Sequence, residues 1–215
     1  MNNRSTSHQP TFGQRDVECE ERQVVYQGFF AIEKIALKHR LFAGGWSKRI
    51  TRELLVRGTA VAAVIYDPTH RLIGLVEQFR VGLLDSGGSP WCREVVAGMA
   101  EPNEADEAVV LRELQEEAGI QPYALKTICE YYSSPGGTDE RLMLYCACAD
   151  LSQAVGLYGL AEENEDIRLL VLAEDDVFST LYDGQYNNAA TLICLQWLIT
   201  HKHQLSLTEK TYVAS

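Results

Sequence analysis

The sequence predicts an α/β fold in which helices cover a sheet, with a small antiparallel β unit ahead of it. Three observations predict this. Ala60 to Tyr66 (AVAAVIY) is a nearly continuous apolar run, which suits a strand buried on both faces. Several strand-like runs are mixed with few helical ones, which argues for a sheet sandwiched by helices. Val24 to Phe42 is rich in β-branched and aromatic residues and ends at a Gly44-Gly45 turn, which sets it apart from the later strands. The 215 residues suffice for one domain with an appendage. The expected division is a polar tail over 1–22, a β domain over 23–57, the main domain over 58–205 and a second tail over 206–215.

After Gly44-Gly45 the β pattern resumes over Ile50 to Val56, completing a small antiparallel unit. Asp67-Pro68 ends the apolar strand, and Leu72 to Phe79 is its expected hairpin partner. Trp91 to Val96 is a shorter strand. The clearest helix comes after Pro102-Asn103. Asn103 is the expected N-cap with Asp106 at N3, acids fill the first turn, and Gly119 closes the helix. Strands are expected at Lys126 to Tyr132, Arg141 to Ala149 and Ile167 to Leu172, with a loop over Gly156 to Asp166. Helices are expected at Glu174 to Leu181 and Ala189 to His201.

Hydrophobic residues make up 46% and charged residues 23%, which excludes a wholly disordered chain, a collagen-like repeat and a disulfide miniprotein. The net charge is −11, the wrong sign for a general nucleic-acid binder. Its distribution is informative. Glu94 to Glu117 holds eight acids and one base, Glu162 to Asp166 holds four acids and no base, and the remainder is neutral. Each run read alone is a solvated face; together they suggest convergence on divalent cations.

The six cysteines show no C-x-x-C spacing, and the five histidines form no metal-ligand pattern. No apolar stretch reaches the length of a membrane span. Residues 1–22 are polar with no signal-peptide core, so a cytoplasmic location is expected.

On the strong helix Glu113, Glu116 and Glu117 share one face, because residues three and four apart are neighbours. Val110, Leu111, Leu114 and Ala118 make the buried face. Three adjacent carboxylates repel one another, so something must offset them. Oxygen donors without histidine or cysteine suit Mg²⁺ or Mn²⁺, and Arg112 is placed to orient one carboxylate through a bidentate contact.

Gly98 to Ile120 (GMAEPNEADEAVVLRELQEEAGI) has Gly98, then Glu104 after five residues, then Arg112-Glu113-Leu114 after seven, Glu116-Glu117 and Gly119-Ile120. This run resembles the Nudix box of the Nudix hydrolases at every specified position. The resemblance implies an α/β/α sandwich with a mixed sheet, and hydrolysis of a nucleoside diphosphate linked to another moiety. Pro135, fifteen residues beyond Ile120, and the acidic loop Gly159 to Ile167 are similar to the family's ADP-ribose pyrophosphatase branch. So are Tyr26 to Phe30, His39 to Phe42 and Asn187 to Ala190. The likeness runs from about Tyr26 to His201.

The resemblance implies roles for single residues. Glu113, Glu117, Glu165 and the backbone carbonyl of Ala97 would hold two or three Mg²⁺ ions, or Mn²⁺. Glu116 would be a ligand or stand close to one. Glu163 would be the general base, with Glu116 and Glu162 the alternative positions. Phe29 and Arg52 would hold adenine, and Arg80 and Glu140 would contact the ADP-ribose. The reaction would yield AMP and ribose 5-phosphate. The branch also implies a homodimer that exchanges N-terminal segments, and no nucleic-acid or membrane partner. Another nucleotide sugar, a dinucleotide polyphosphate, or a non-catalytic role as an ADP-ribose sensor remain as alternatives.

Overall fold

The computed structural model describes residues 10–101 and 103–205, with every side chain among them except that of Glu163. Most of the expected N-terminal tail before Pro10, and the C-terminal tail over 206–215, lie outside the described residues. Contacts divide the chain into two units, one made of residues up to Arg57 with Ser134–Glu140, the other of Gly58–Ser133 with Arg141 onward.

The first unit is a three-stranded antiparallel sheet of β1 (Val17–Gln27), β2 (Ala31–His39) and β3 (Ile50–Val56), in that order. The strand-like region Val24 to Phe42 is in fact bent into a hairpin at Gly28, whose N–H donates to the Phe30 carbonyl at 2.9 Å. β1 begins at Val17, inside the stretch read as polar tail. Every residue of β1 is exposed, so the strand carries no burial pattern that could announce it. Its ladder to β2 and ion pairs hold it instead: Arg22 to Glu33 at 2.6 Å, Arg49 to Glu21 at 2.9 Å, and Lys38 to Glu20. Ser134–Glu140 belongs to this unit rather than to a continuous main domain. The Leu55 N–H donates to Gly137 O at 2.9 Å, and the Arg57 N–H to Asp139 Oδ1 at 2.7 Å.

The second unit is built on β4 (Thr59–Asp67), β5 (Leu72–Phe79), β6 (Trp91–Glu94), β7 (Val96–Met99), β8 (Ala124–Tyr132), β9 (Arg141–Cys148), β10 (Leu157–Tyr158) and β11 (Ile167–Ala173). The sheet runs β10-β11-β5-β4-β9-β8, with β6 on β5 and β7 on β4. β4 and β9 are parallel and the other pairs antiparallel, so the sheet is mixed.

β4 explains the layering. Val61, Ala63 and Ile65 pack with Val109, Val110, Leu114 and Ala118 of α1 (Asp106–Ala118). Ala62, Val64 and Tyr66 pack with Val177 of α2 (Glu174–Ser179) and Cys194, Leu195 and Leu198 of α3 (Ala189–His201). The period-2 alternation of side chains sends successive residues to opposite faces, and both faces are covered. This is the α/β/α sandwich.

Two local readings need correction. The strand expected over Trp91 to Val96 is split. Val95 leaves the ladder and donates its N–H to Thr191 Oγ1 at 3.0 Å, so β6 pairs with β5 while β7 crosses to β4. Asn103 is not the N-cap of α1. It lies in a left-handed conformation (φ 69°), and Ala105 occupies the cap without a side-chain bond. Gly119 does close the helix at φ 64°, as expected of a terminal glycine.

Candidate active site

α1 and the strands beneath it bring the acidic run together. Glu113 and Glu117 are not on a solvated face. They are buried with Val110 and Leu114, and Glu117 is 3% exposed. One turn separates them, so both carboxylates lie over the same part of the sheet.

Glu117 is fixed from β5 and β7. Its Oε1 accepts from Gln78 Nε2 at 3.2 Å, and its Oε2 from the Ala97 N–H at 3.0 Å. Glu113 stands over Gly98. A Cβ built there would lie 1.9 Å from the Glu113 carboxyl carbon and Oε1, so only glycine leaves room for the carboxylate. The first glycine of the box therefore has a steric reason. Ala97, between these contacts, is half-buried on β7 and faces Ala62 of β4 in the ladder.

Arg112 holds the other side of the cluster. Its Nη1 donates to Glu113 Oε1 at 2.7 Å and to Glu116 Oε2 at 3.2 Å, and it reaches both oxygens of Glu104 at 3.3 Å. The expectation of one bidentate contact understated it: Arg112 orients three carboxylates.

The acidic loop is tied to the same helix. The Gly159 N–H donates to the Glu116 carbonyl at 3.2 Å, and Glu165 Oε2 accepts from the Leu160 N–H at 3.1 Å. Gly159 is itself required, because its φ is +101° and a Cβ there would lie 2.7 Å from the Glu165 Cβ. Glu165 is near enough to Glu113 for its charge to oppose ionisation there. Glu163 lies in the short 3₁₀ turn Ala161–Glu163, but its side chain is not among those described.

Electrostatics separate the carboxylates. Burial pushes the Glu117 carboxyl up to about 8, against the pull of the Ala97 N–H, with Glu113 adding to the rise. Burial likewise raises Glu113, although Arg112 counteracts it. Glu104 is held low by Arg112. At Glu117 burial outweighs its two neutral hydrogen-bond donors, so a nearby cation would favour its ionised form. The donors here are oxygens throughout, so a hard divalent ion fits them. The structure brings the Glu113 and Glu117 carboxylates together beside Gly98 and the Ala97 N–H, and ties the loop that carries Glu165 to the same helix.

Arg80 also belongs to this unit. Its Nε pairs with Glu94 Oε1 at 2.5 Å. Phe29, Arg52 and Glu140 belong to the first unit. Phe29 is 88% exposed and meets Phe30 edge-on at 4.8 Å, so it is not a core aromatic. Arg52 donates to the Thr51 carbonyl at 2.9 Å. Glu140 pairs with Arg57 Nε at 2.6 Å.

Sequence reasoning missed Gln78 and gave Glu94 no individual role. Their partners lie 39 and 14 residues away, and only the folded sheet brings them together. A second group, Asp67, His70 and Asp150, places its donor atoms within 4.8 Å of one another. Asp67 is already engaged there. It accepts from the N–H groups of Thr69, His70 and Leu151 and contacts His70 Nδ1 at 2.8 Å, which suits an anchor between a turn and a strand.

A mixed sheet between helices, with a carboxylate-bearing helix over a glycine-marked strand, defines a class. The NUDIX domain model matches residues 56–187, and the chain belongs to the NUDIX family. It is similar to the ADP-ribose pyrophosphatase of Haemophilus influenzae, 44% identical over 202 residues and 93% of each chain. It is 40% identical over 195 residues to the ADP-ribose pyrophosphatase of Escherichia coli strain K12, covering 91% of this chain and 93% of that one. A crystal structure of an ADP compounds hydrolase shares the fold, with a TM-score of 0.68 at 18% identity over 88% of this chain and 96% of that one.

Proposed function

We infer that this chain hydrolyses the pyrophosphate of ADP-ribose to AMP and ribose 5-phosphate, using a divalent cation. One observation carries the reading. The buried Glu113 and Glu117, aligned by Arg112, Gln78 and Ala97, form a ready cation cradle in a chain that resembles ADP-ribose pyrophosphatases over more than nine tenths of its length.

The residue roles are proposals. Glu113, Glu117, Glu165 and the Ala97 carbonyl hold Mg²⁺, with Mn²⁺ as a substitute, in two or three positions. When bound, the cations neutralise the pyrophosphate and acidify water. Glu163 takes the proton of the attacking water, with Glu116 and Glu162 its rivals. Arg112 keeps the carboxylates aligned. Arg80 and Glu140 contact the ADP-ribose, while Phe29 and Arg52 hold adenine. The exposure of Phe29 supports a stacking role. The short ion pair to Arg57 must open or be shared if Glu140 is to meet the substrate.

A homodimer built through the N-terminal sheet is part of the same proposal. Val24, Val25, Tyr26 and Phe29 are all exposed in the first unit, an apolar surface that a second copy would cover. Sedimentation at the mass of a single 24.1 kDa chain at micromolar concentration would overturn it. Among the described residues no helix is long and apolar enough to cross a membrane. A cytoplasmic location, a small-molecule nucleotide as substrate, and neither nucleic acid nor a membrane as partner complete the proposal.

The deciding experiment is a turnover assay in Mg²⁺ with ADP-ribose, GDP-mannose and a diadenosine polyphosphate in competition. Preferred release of AMP from ADP-ribose is expected. Binding of ADP-ribose without AMP release would instead make the chain a sensor. Preference for another substrate would keep the chemistry and change the specificity.

A further inference from the structure

We propose that Glu94, anchored by Asn188, is a positioning residue that fixes the guanidinium of Arg80 to receive an anionic group of the substrate. The proposal rests on the pyrophosphatase reading above and extends it to residues that do not touch the nucleotide.

Arg80 directly follows β5, and its backbone is clamped. Its N–H donates to the Pro90 carbonyl at 2.8 Å, and its own carbonyl accepts from Leu83 at 2.9 Å. Among the described residues its side chain makes a single link, Nε to Glu94 Oε1 at 2.5 Å. Both Nη groups find no partner among the described residues.

Glu94 is 3% exposed. Its Oε2 accepts from Asn188 Nδ2 at 3.0 Å. Asn188 is the N-cap of α3, and its Oδ1 accepts from the Thr191 N–H at 3.1 Å. The Thr191 hydroxyl in turn accepts from the Val95 N–H, next to Glu94. The circuit closes on itself, so both carboxylate oxygens of Glu94 are held.

Packing alone does not account for a carboxylate here, because burial disfavours its charge and Arg80 is its compensating cation. Arg80 also stands close to the box, two residues beyond Gln78, whose amide donates to Glu117 Oε1 at 3.2 Å. An arginine pinned through Nε beside the cation cradle, with two open Nη groups, presents a pre-set fork for a phosphate oxygen pair. Held this way, the long side chain loses less freedom when substrate arrives.

The test is a double-mutant cycle with E94Q and R80A, read by KM for ADP-ribose and by calorimetric binding of α,β-methylene ADP-ribose. Glutamine keeps the size of Glu94 but sets its amide against either Arg80 or Asn188. E94Q should raise KM and Kd by about 10-fold, the scale of one hydrogen bond to a charged group, with kcat changed less and Mg²⁺ half-saturation unchanged. R80A should raise KM at least as much, and adding E94Q to R80A should do nothing further. If E94Q raises KM by the same factor in both backgrounds, or not at all, the proposal is wrong. A merely structural role would appear as a lower Tm with that additive pattern. If E94Q does not fold, N188A removes the anchor behind Glu94 and should raise KM by about 3-fold in an Arg80-dependent manner. An R80A variant with unchanged KM and Kd overturns the substrate role of Arg80, and this proposal with it, while AMP release stands. If the wild type releases no AMP, the pyrophosphatase reading fails, and the calorimetric cycle still tests the coupling.

Discussion

Gly98→Ala is the sharpest perturbation available at the candidate site. The added methyl carbon would lie 1.9 Å from the Glu113 carboxyl carbon and Oε1, and 2.5 Å from its Cγ. The three nearest atoms all belong to the Glu113 side chain, so the carboxylate must swing. That move breaks the 2.7 Å contact with Arg112 Nη1. Arg112 is partly exposed, so the loss amounts to about 1 kcal/mol, or about 2–4 °C in Tm for a chain of this size. The functional loss should be larger. A displaced carboxylate cannot serve its cation, and disturbing even groups that merely support metal ligands costs about 10- to 100-fold. AMP release should therefore fall by about 100-fold, with Mg²⁺ half-saturation moved to higher concentration. The assay titrates Mg²⁺ at saturating ADP-ribose, beside a thermal melt in chelator. Gly13→Ala, where a Cβ meets nothing within 4 Å, is the control. A Gly98→Ala enzyme with wild-type turnover and an unchanged Mg²⁺ requirement would refute the placement of Glu113 at the cation.

The same geometry sets further outcomes. Unfolded Glu117 titrates near 4.5 and the folded group at about 8. Between those values the folded state keeps a proton that the unfolded state has released, so stability in chelator should fall as pH rises from about 5 to 8. E117Q should flatten that fall in a Tm–pH series, and an equal slope in both proteins would count against it. Asp67→Asn puts an amide among the donors of Thr69, His70 and Leu151; denaturant unfolding should show about 2–4 kcal/mol lost, with activity per folded molecule kept. Phe29→Ala should raise KM for ADP-ribose by about 5- to 150-fold with the fold intact, since stacking on a base is worth about 1–3 kcal/mol; an unchanged KM removes Phe29 from adenine recognition. Glu163→Gln should lower kcat by about 10²- to 10⁴-fold with KM little changed. Near wild-type turnover there, with a dead Glu162→Gln or Glu116→Gln, would reassign the base.

The features legible in the sequence had a local cause. The apolar run of β4 comes from burial on both faces, the carboxylate spacing of α1 from helix geometry, and Gly119 from its positive φ. Each signal sits within a few residues of its effect. The features that stayed hidden had a distant cause. β1 is an all-exposed strand held by ion pairs, so hydrophobic patterning passes over it. The break at Val95 is made by Thr191, 96 residues later. Gln78 looks like any polar residue near the end of a strand until Glu117 lies above it. The burial of Glu113 and Glu117 is not legible from their spacing: with Glu116 they share the acidic face of α1, and that face turns inward against β7.

This inward turn explains how one short helix tolerates so many acids. Arg112 compensates Glu104, Glu113 and Glu116 directly. Among the described residues Glu117 makes no hydrogen bond or ion pair with it and receives an amide and a backbone N–H as its direct donors, with the Arg80 charge acting from a distance. Without a cation the least costly state of Glu117 is the protonated one, which explains its position near 8. A divalent ion held by Glu117 and Glu113, as proposed above, would reverse that preference. Cation binding and proton release at Glu117 are then linked. Apparent Mg²⁺ affinity should rise with pH up to about 8 and level off above it. In E117Q most of that pH dependence should vanish, because no proton remains there to displace. Calorimetry of Mg²⁺ binding in two buffers of different ionisation enthalpy reads the released proton directly, and equal proton release from both proteins would show that another group is the one coupled to the ion.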